Sequence, residues 1–156
     1  MRIAAHIIDS YRKSNLHVAT AESCTGGMVA VALTDVAGSS DVFEQGFVTY
    51  SNAAKIEMLG VSPATLQAYG AVSEPVAHEM AEGALAHSSA DVAVSITGIA
   101  GPGGSEFKPE GRVCVGLAIK GQATQVQTVE FGALGRTHVR QAATEHALSL
   151  LLTVVT

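Results

Sequence analysis

The sequence predicts an α/β fold in which a mixed, mostly parallel β-sheet lies between two layers of helices. Short runs of β-formers alternate with longer amphipathic segments through the first two thirds of the chain, which is typical of strands joined by helices. Two alternating segments around a short polar turn then indicate a β-hairpin, and this makes the sheet mixed. The 156 residues suit one three-layer α/β/α domain, which we expect to span residues 1–156.

The predicted helices follow from apolar spacing and from the residues that begin and end them. Ile3, Ile7 and Tyr11 show the helical interval at the start of the chain, and serines precede two later helices as N-caps. Glycines follow the ends of several segments, where a left-handed residue commonly terminates a helix. The predicted helices cover residues 3–14, 28–33, 51–59, 63–69, 73–86 and 137–154.

The predicted strands are short and rich in β-branched residues. Glycine-bearing polar loops follow two of them, at residues 22–27 and 97–105. Such loops direct backbone N–H groups and hydroxyls toward the carboxyl edge of a parallel sheet. The predicted strands cover residues 16–20, 46–50, 91–96, 112–119 and 124–131.

Composition excludes several classes of protein. The net charge is −5 without any cluster of Lys and Arg, whereas a nucleic-acid partner requires a basic patch. Because no apolar run reaches about 18 residues and the first residues do not resemble a signal peptide, we expect a cytoplasmic protein with no membrane partner. Two cysteines do not make a disulfide framework, and the six histidines lack metal-ligand spacing, so neither a metal nor another cofactor is expected.

The first candidate site is the loop Ser23-Cys24-Thr25-Gly26-Gly27. Hydroxyls and glycines between a strand and a helix can bind a phosphate or a carboxylate. The same residues also describe a capped helix start, which is the commoner arrangement. Cys24 could act as a nucleophile at a helix start, but no histidine is near it in the sequence, which favours a packing role.

The second candidate site combines the turn Gly38-Ser39-Ser40 with Tyr50-Ser51-Asn52 and Lys55. Amide hydrolysis without a metal needs a nucleophile and a base that activates it. A lysine kept neutral by burial can activate a serine, and a tyrosine can relay the proton. From the residues alone, a solvated Lys55 and a Tyr50 that ends an amphipathic strand are the commoner arrangement.

A third candidate site is the glycine loop of residues 97–105, and it favours a functional role because it is long and follows a core strand. Arg136 and Arg140 begin the last helix, where either guanidinium could hold a phosphate in a bidentate manner. For each arginine alone, a surface ion pair is the commoner role.

Five segments in order resemble the CinA C-terminal domain family, and the likeness covers nearly the whole chain. Stand-alone members of this family are similar to nicotinamide-nucleotide amidases, which convert nicotinamide mononucleotide to nicotinic acid mononucleotide and ammonia in pyridine nucleotide salvage. The resemblance therefore implies a hydrolase with a small nucleotide substrate. The segments are AESCTGG (21–27), AGSS (37–40), GFVTYSN (46–52) with Lys55, GAVSE (70–74) and TGIAGP (97–102).

The resemblance also implies a metal-independent mechanism. Lys55, relayed through Tyr50, would activate Ser40 for attack on the carboxamide, and Ser23 is a rival nucleophile or an oxyanion-side hydroxyl. Backbone N–H groups near Gly98 or Ser23 would stabilise the oxyanion. The residues expected to bind the nucleotide are Thr25, Gly26, Thr97, Gly98, Gly101 and Arg140, with Arg136 as the alternative to Arg140.

A second hypothesis comes from the competence-associated name of the family. The same loops would then belong to a non-catalytic nucleotide-binding or protein-interaction module linked to competence or the response to DNA damage. The apolar-rich helices and the family likeness predict a homo-oligomer. Two-domain relatives carry a preceding domain that resembles molybdopterin-binding proteins, and we expect no pyrophosphatase activity of that kind from this chain.

Overall fold

A mixed sheet forms the centre of the fold. The structure is a computed structural model and describes residues 2–105 and 107–156. The strands of the sheet are β1 Val18–Glu22, β2 Phe43–Val48, β3 Val92–Gly98, β4 Arg112–Ile119 and β5 Gln125–Glu130. They lie in the order β2-β1-β3-β4-β5. β1 pairs in parallel with β2 and β3, whereas β4 pairs antiparallel with β3 and β5. Among these described strands, β4 alone runs opposite to the others, so the predicted mixed sheet is confirmed.

Helices cover both faces of the sheet. They are α1 Arg2–Lys13, α2 Met28–Thr34, α3 Asn52–Leu59, α4 Pro63–Tyr69, α5 Glu74–Ala86 and α6 Arg136–Thr153, with a 3₁₀ helix at Ser39–Asp41. α1, α2 and α6 bury their apolar side chains on one face, and α3, α4 and α5 on the other. The predicted three-layer architecture is therefore confirmed. In the described part of the chain, no helix is both long and apolar enough to cross a membrane.

Two serines cap the N-termini of α3 and α5. The Ser51 hydroxyl accepts the Ala54 N–H at 3.0 Å and begins α3. The Ser73 hydroxyl accepts the Val76 N–H at 3.4 Å and begins α5. Gly60 ends α3 with a φ of 71°, a left-handed conformation that glycine adopts without strain. These caps lie where the sequence predicts them.

The second strand begins earlier than predicted. The sequence predicts residues 46–50, whereas β2 pairs with β1 over Phe43–Val48. β2 is an edge strand, so its first residues need not be apolar and carry no clear hydrophobic pattern. As a consequence, Thr49 and Tyr50 lie beyond the strand and form the turn into α3.

The end of α3 packs closely against α5. A Cβ atom at Gly83 of α5 would overlap the carbonyl oxygen of Leu59 at the end of α3. Glycine therefore lets the two helices approach more closely than any larger residue would allow. Lys55 lies one turn before Leu59 on the same helix, so this contact helps to set its position.

Candidate active site

A cavity of about 370 Å³ opens at the carboxyl ends of β1 and β3. Its volume lies in the range of small-molecule sites, roughly 300–1,000 Å³. Neighbouring parallel strands end here, which is where α/β sheets commonly bind ligands. Residues 98–105 form one wall, and the lining side chains with reactive or charged groups are Ser23, Cys24, Tyr50, Lys55, Thr97 and Arg136.

Lys55 supplies a buried amine to this cavity. Only 1% of its surface is exposed. Its Nζ lies 3.2 Å from the Ser23 hydroxyl oxygen, 3.1 Å from the Thr49 carbonyl oxygen and 3.3 Å from the Tyr50 carbonyl oxygen. Such oxygens compensate an amine for the loss of water. The contact with Ser23 has the geometry expected of a nucleophile and its base.

Ser23 combines a fixed backbone with access to the cavity. It follows β1 directly, and its N–H donates to the Ile96 carbonyl oxygen of β3 at 3.0 Å. The residue is 8% exposed and its side chain lines the cavity. The sequence offers Ser23 as a rival nucleophile, and the structure places this hydroxyl beside Lys55.

Glu22 holds the loop that carries Ser23. Its carboxylate is fully buried and accepts the Thr25 hydroxyl at 2.6 Å and the Val29 and Ala30 N–H groups at 3.0 Å each. Gly27, at the start of α2, has no side chain to cap the helix, so Glu22 satisfies the helix N–H groups from the preceding strand. The sequence motifs predict no role for Glu22. An acidic residue that ends an apolar strand just before a helix was the available signal.

Ser40 lies near the amino end of β2, whereas the cavity opens at the carboxyl ends of the parallel strands. This position corrects its expected role. It belongs to Ser39–Asp41 before β2, is exposed, and lines a separate hollow with His17 and Ser89. Lys55 follows β2, and a strand of six residues extends roughly 20 Å. The prediction that Ser40 and Lys55 share one centre is therefore wrong.

The Tyr50 hydroxyl lies at the rim of the cavity. It accepts a hydrogen bond from the Arg136 guanidinium at 2.9 Å, and 60% of the residue is exposed. Among the described hydrogen bonds, Lys55 contacts the carbonyl oxygen of Tyr50 and not its hydroxyl. Tyr50 therefore orients the amine through its backbone, while its phenol joins the rim to Arg136.

The two arginines of α6 have different positions. Arg140 donates to the Cys24 carbonyl oxygen at 3.0 Å and to the Thr25 carbonyl oxygen at 3.4 Å. Arg136, one turn earlier, lines the cavity and donates to the Gly101 carbonyl oxygen at 2.6 Å. Arg140 thus holds the loop after β1, and Arg136 has the guanidinium that faces the cavity. The expected phosphate contact of Arg140 stays a prediction.

Thr25 and Gly26 shape the same loop without lining the cavity. The Thr25 hydroxyl is buried and donates to Glu22. Gly26 has a φ of +59°, and a Cβ atom there would lie 3.2 Å from the Arg140 guanidinium. Gly26 also lines a separate hollow between α2 and α6. These two residues therefore shape the loop, and their expected contact with the nucleotide stays a prediction.

Three predicted residues of the glycine loop do reach the cavity. The Thr97 hydroxyl donates to the Ala71 carbonyl oxygen at 2.9 Å and ties β3 to the segment before α5. A Cβ atom at Gly98 would lie 3.1 Å from the Cys24 sulfur, so a side chain would crowd both walls. Gly101 has a φ of +88°, which favours glycine. All three line the cavity.

Other reactive chemistry near the cavity is limited. Burial raises the pKa of the Cys24 thiol to about 12, so the thiol stays protonated near neutral pH and is a poor nucleophile. This agrees with the packing role that the sequence favours. Within residues 2–105 and 107–156, no group of three His, Cys, Asp or Glu side chains comes together as metal ligands would.

The family of this chain follows from a comparison with known sequences. Residues 1–155 match the model of the CinA C-terminal domain. The chain belongs to the CinA C-terminal domain family. The resemblance carried by the five sequence segments is therefore confirmed.

Solved structures of CinA proteins have the same fold. The competence/damage inducible protein CihA from Agrobacterium tumefaciens is 46% identical, with a TM-score of 0.96, and the match covers 99% of this chain and 94% of that chain. A CinA superfamily protein from Escherichia coli is 38% identical, with a TM-score of 0.93, over 97% of this chain and 88% of that chain. The α/β architecture is thus shared across the family.

Curated relatives carry different names. A CinA-like protein from Chlorobaculum tepidum is 54% identical over 85% of this chain, and the match covers 32% of that protein. The chain thus spans about a third of the length of this relative. A nicotinamide-nucleotide amidohydrolase from Enterobacter agglomerans is 65% identical over 66% of this chain and 63% of that protein.

Replacing Glu22 with glutamine tests the support of the loop. The amide can accept one N–H group, but its NH₂ group would face another N–H donor of α2. We expect Glu22→Gln to lower the free energy of unfolding by about 2 kcal/mol, measured by urea denaturation. Glu57→Gln is the control, because Glu57 is exposed on α3, and it should change this free energy by less than about 0.5 kcal/mol. Equal effects of the two changes would contradict the proposed anchoring.

Proposed function

We propose that this protein is an amidohydrolase that releases ammonia from the carboxamide of nicotinamide mononucleotide and forms nicotinic acid mononucleotide. The observation that carries the proposal is the 3.2 Å contact between the buried Lys55 amine and the Ser23 hydroxyl in the cavity. The amidohydrolase name of the Enterobacter agglomerans relative supports the choice of substrate. Ser23 takes the place of Ser40 as the nucleophile.

In this mechanism Lys55 acts as the base. Burial disfavours the charged ammonium form of a lysine. The neutral amine donates its two N–H groups to the carbonyl oxygens of Thr49 and Tyr50, which lie 3.1 and 3.3 Å away. It then accepts the proton of the Ser23 hydroxyl through its lone pair. The carbonyl contacts thus orient the lone pair toward the nucleophile.

The reaction proceeds in two halves. Ser23 Oγ attacks the carboxamide carbon as Lys55 takes its proton, and the C–N bond then breaks while Lys55 returns this proton to the departing ammonia. Water next attacks the ester on Ser23 and transfers a proton to Lys55. The carboxylic acid forms when the ester bond then breaks. Lys55 returns that proton to Ser23 Oγ as the ester bond breaks, and the free acid then ionises in solution.

The oxyanion of each tetrahedral intermediate needs N–H donors. The Ser23 N–H already donates to Ile96 at 3.0 Å, and the Ile99 N–H donates to Arg112 at 2.9 Å. We therefore assign the oxyanion contact to another backbone N–H group near Ser23 or Gly98.

Arg136 is the proposed partner of the substrate phosphate. It begins α6, faces the cavity and is exposed at its rim. A guanidinium can bind phosphate oxygens in a bidentate manner. The start of α6 adds a favourable helix dipole for an anion. The phosphate would thus lie at the rim, with the carboxamide directed inward to Ser23.

The cellular setting belongs to the same proposal. Release of nicotinic acid mononucleotide would place the protein in pyridine nucleotide salvage, in the cytoplasm. Self-association also remains a prediction of the sequence. The chemistry proposed for Ser23 and Lys55 does not depend on either point, because both residues and the cavity belong to one chain.

Removing either member of the pair should abolish the reaction. We expect Ser23→Ala and Lys55→Met each to lower kcat/KM for nicotinamide mononucleotide by at least about 10³-fold. The assay is ammonia release by the purified protein. Ser40→Ala is the matched control, because Ser40 lies near the amino end of β2, outside the cavity, and it should retain activity within about threefold.

Two outcomes would contradict this assignment. Full activity of Ser23→Ala would exclude Ser23 as the nucleophile. Tight calorimetric binding of nicotinamide mononucleotide by the unaltered protein without ammonia release would instead favour a non-catalytic nucleotide-binding module. Circular dichroism of each variant establishes that a lost activity does not reflect a lost fold.

Arg136→Ala tests the phosphate contact separately. Loss of one bidentate partner should raise KM for nicotinamide mononucleotide by about 10- to 100-fold, with kcat within about fivefold of the original value. Nicotinamide riboside has the same carboxamide but no phosphate, so its kcat/KM should not change. Steady-state kinetics with both compounds decide the point. An unchanged KM for the mononucleotide would exclude the assigned role.

A further inference from the structure

Glu110 lies behind the cavity wall, in the turn before β4, and joins two segments of the rim. One carboxylate oxygen accepts the Gly103 N–H at 2.7 Å, and the other accepts the Gly135 N–H at 3.0 Å. Gly103 belongs to the glycine loop, and Gly135 immediately precedes α6. Hydrogen bonds to a charged carboxylate are stronger than those between neutral groups. One side chain thus fastens the loop to the start of the helix.

Arg136 completes the connection from the cavity side. Its guanidinium donates to the Gly101 carbonyl oxygen at 2.6 Å and to the Tyr50 hydroxyl at 2.9 Å. Gly101 packs directly on the Glu110 carboxyl group, since a Cβ atom there would lie 2.5 Å from the carboxyl carbon. Glu110 and Arg136 therefore both bind the glycine loop.

We propose that Glu110 is a positioning residue that sets the affinity of the cavity for phosphate-bearing substrates. The inference rests on the proposed function and deepens it. Glu110 does not line the cavity, and it acts by fixing the residue before Arg136 and the loop that Arg136 contacts. A guanidinium held in place before binding avoids the cost of ordering a long side chain on the ligand. The phosphate, and not the amide, is the part of the substrate that gains.

A merely structural role would have a different signature. General loosening of the cavity would lower kcat for every carboxamide, with or without a phosphate. Positioning of Arg136 raises KM only for the phosphate-bearing compound and leaves the Ser23 and Lys55 chemistry intact. It also predicts that removing Glu110 has little effect once Arg136 is absent.

The kinetic test uses Glu110→Gln and Glu110→Ala. Glutamine keeps the size of the side chain, but its NH₂ group opposes one of the two N–H donors, so at least one contact is lost. We expect KM for nicotinamide mononucleotide to rise about tenfold in either variant, with kcat within about threefold. The value of kcat/KM for nicotinamide riboside should stay unchanged. Glu145→Gln is the control, because Glu145 is exposed on α6.

A double-variant comparison completes this test. Glu110→Gln combined with Arg136→Ala should have the KM of Arg136→Ala alone. Independent multiplication of the two effects would overturn the proposal, and so would an unchanged KM in Glu110→Gln. A parallel loss of kcat for the mononucleotide and the riboside would also overturn it, because that result identifies a general structural role.

Amide exchange provides a readout that is independent of activity. In nuclear magnetic resonance spectra, the Gly103 and Gly135 amide protons should exchange at least about tenfold faster in Glu110→Gln than in the unaltered protein or in Glu145→Gln. Unchanged exchange would overturn the proposal. If the unaltered protein releases no ammonia, the proposed function fails by itself. Calorimetric Kd values for nicotinamide mononucleotide then replace KM in the same comparison of variants.

Discussion

The burial of the Lys55 amine is the constraint on which the rest of the site depends. An amine removed from water requires oxygen partners. The loop after β1 supplies the Ser23 hydroxyl, and the turn after β2 supplies the carbonyl oxygens of Thr49 and Tyr50. These segments meet because β1 and β2 are parallel neighbours that end at one edge of the sheet. The carbonyl oxygens that help to compensate the buried amine thus also orient it toward the Ser23 hydroxyl.

Two carboxylates outside the lining hold the reactive groups in place. Glu22 binds N–H groups at the start of α2 and steadies the loop of Ser23. Glu110 binds one N–H group on the glycine loop and one just before α6, the helix whose first residue is Arg136. Each carboxylate directs both oxygens toward donors and lies near the positive end of a helix. The cavity itself can then present a hydroxyl, an amine and a guanidinium to the proposed substrate, which carries an amide and a phosphate.

Much of the fold could be predicted from sequence because its signals are local. Caps such as Ser51 and Ser73 and the alternating pattern of the hairpin depend on residues close together in the chain. The separation of Ser40 and Lys55 follows from the same local signals, because a strand between two residues holds them far apart whichever way it runs. The resemblance grouped them by segment order, which carries no distance.

The roles of the arginines and glutamates around the cavity could not be predicted from the sequence. Arg136 and Arg140 lie one turn apart on α6, so spacing cannot tell which guanidinium reaches the cavity and which reaches the loop after β1. Glu22 and Glu110 act through backbone N–H groups that are distant in sequence or belong to irregular loops. Their roles depend on burial and on tertiary contacts, and neither property is visible in residue type or spacing.

In the proposed mechanism, Ser23 forms a covalent ester during amide hydrolysis. The most direct test is to mix the protein with nicotinamide mononucleotide, quench in acid at early times, and map the modified peptide by mass spectrometry. We expect an added mass equal to nicotinic acid mononucleotide less one water, located on Ser23. An adduct of this mass on Ser40, or on any residue other than Ser23, would contradict the proposed mechanism.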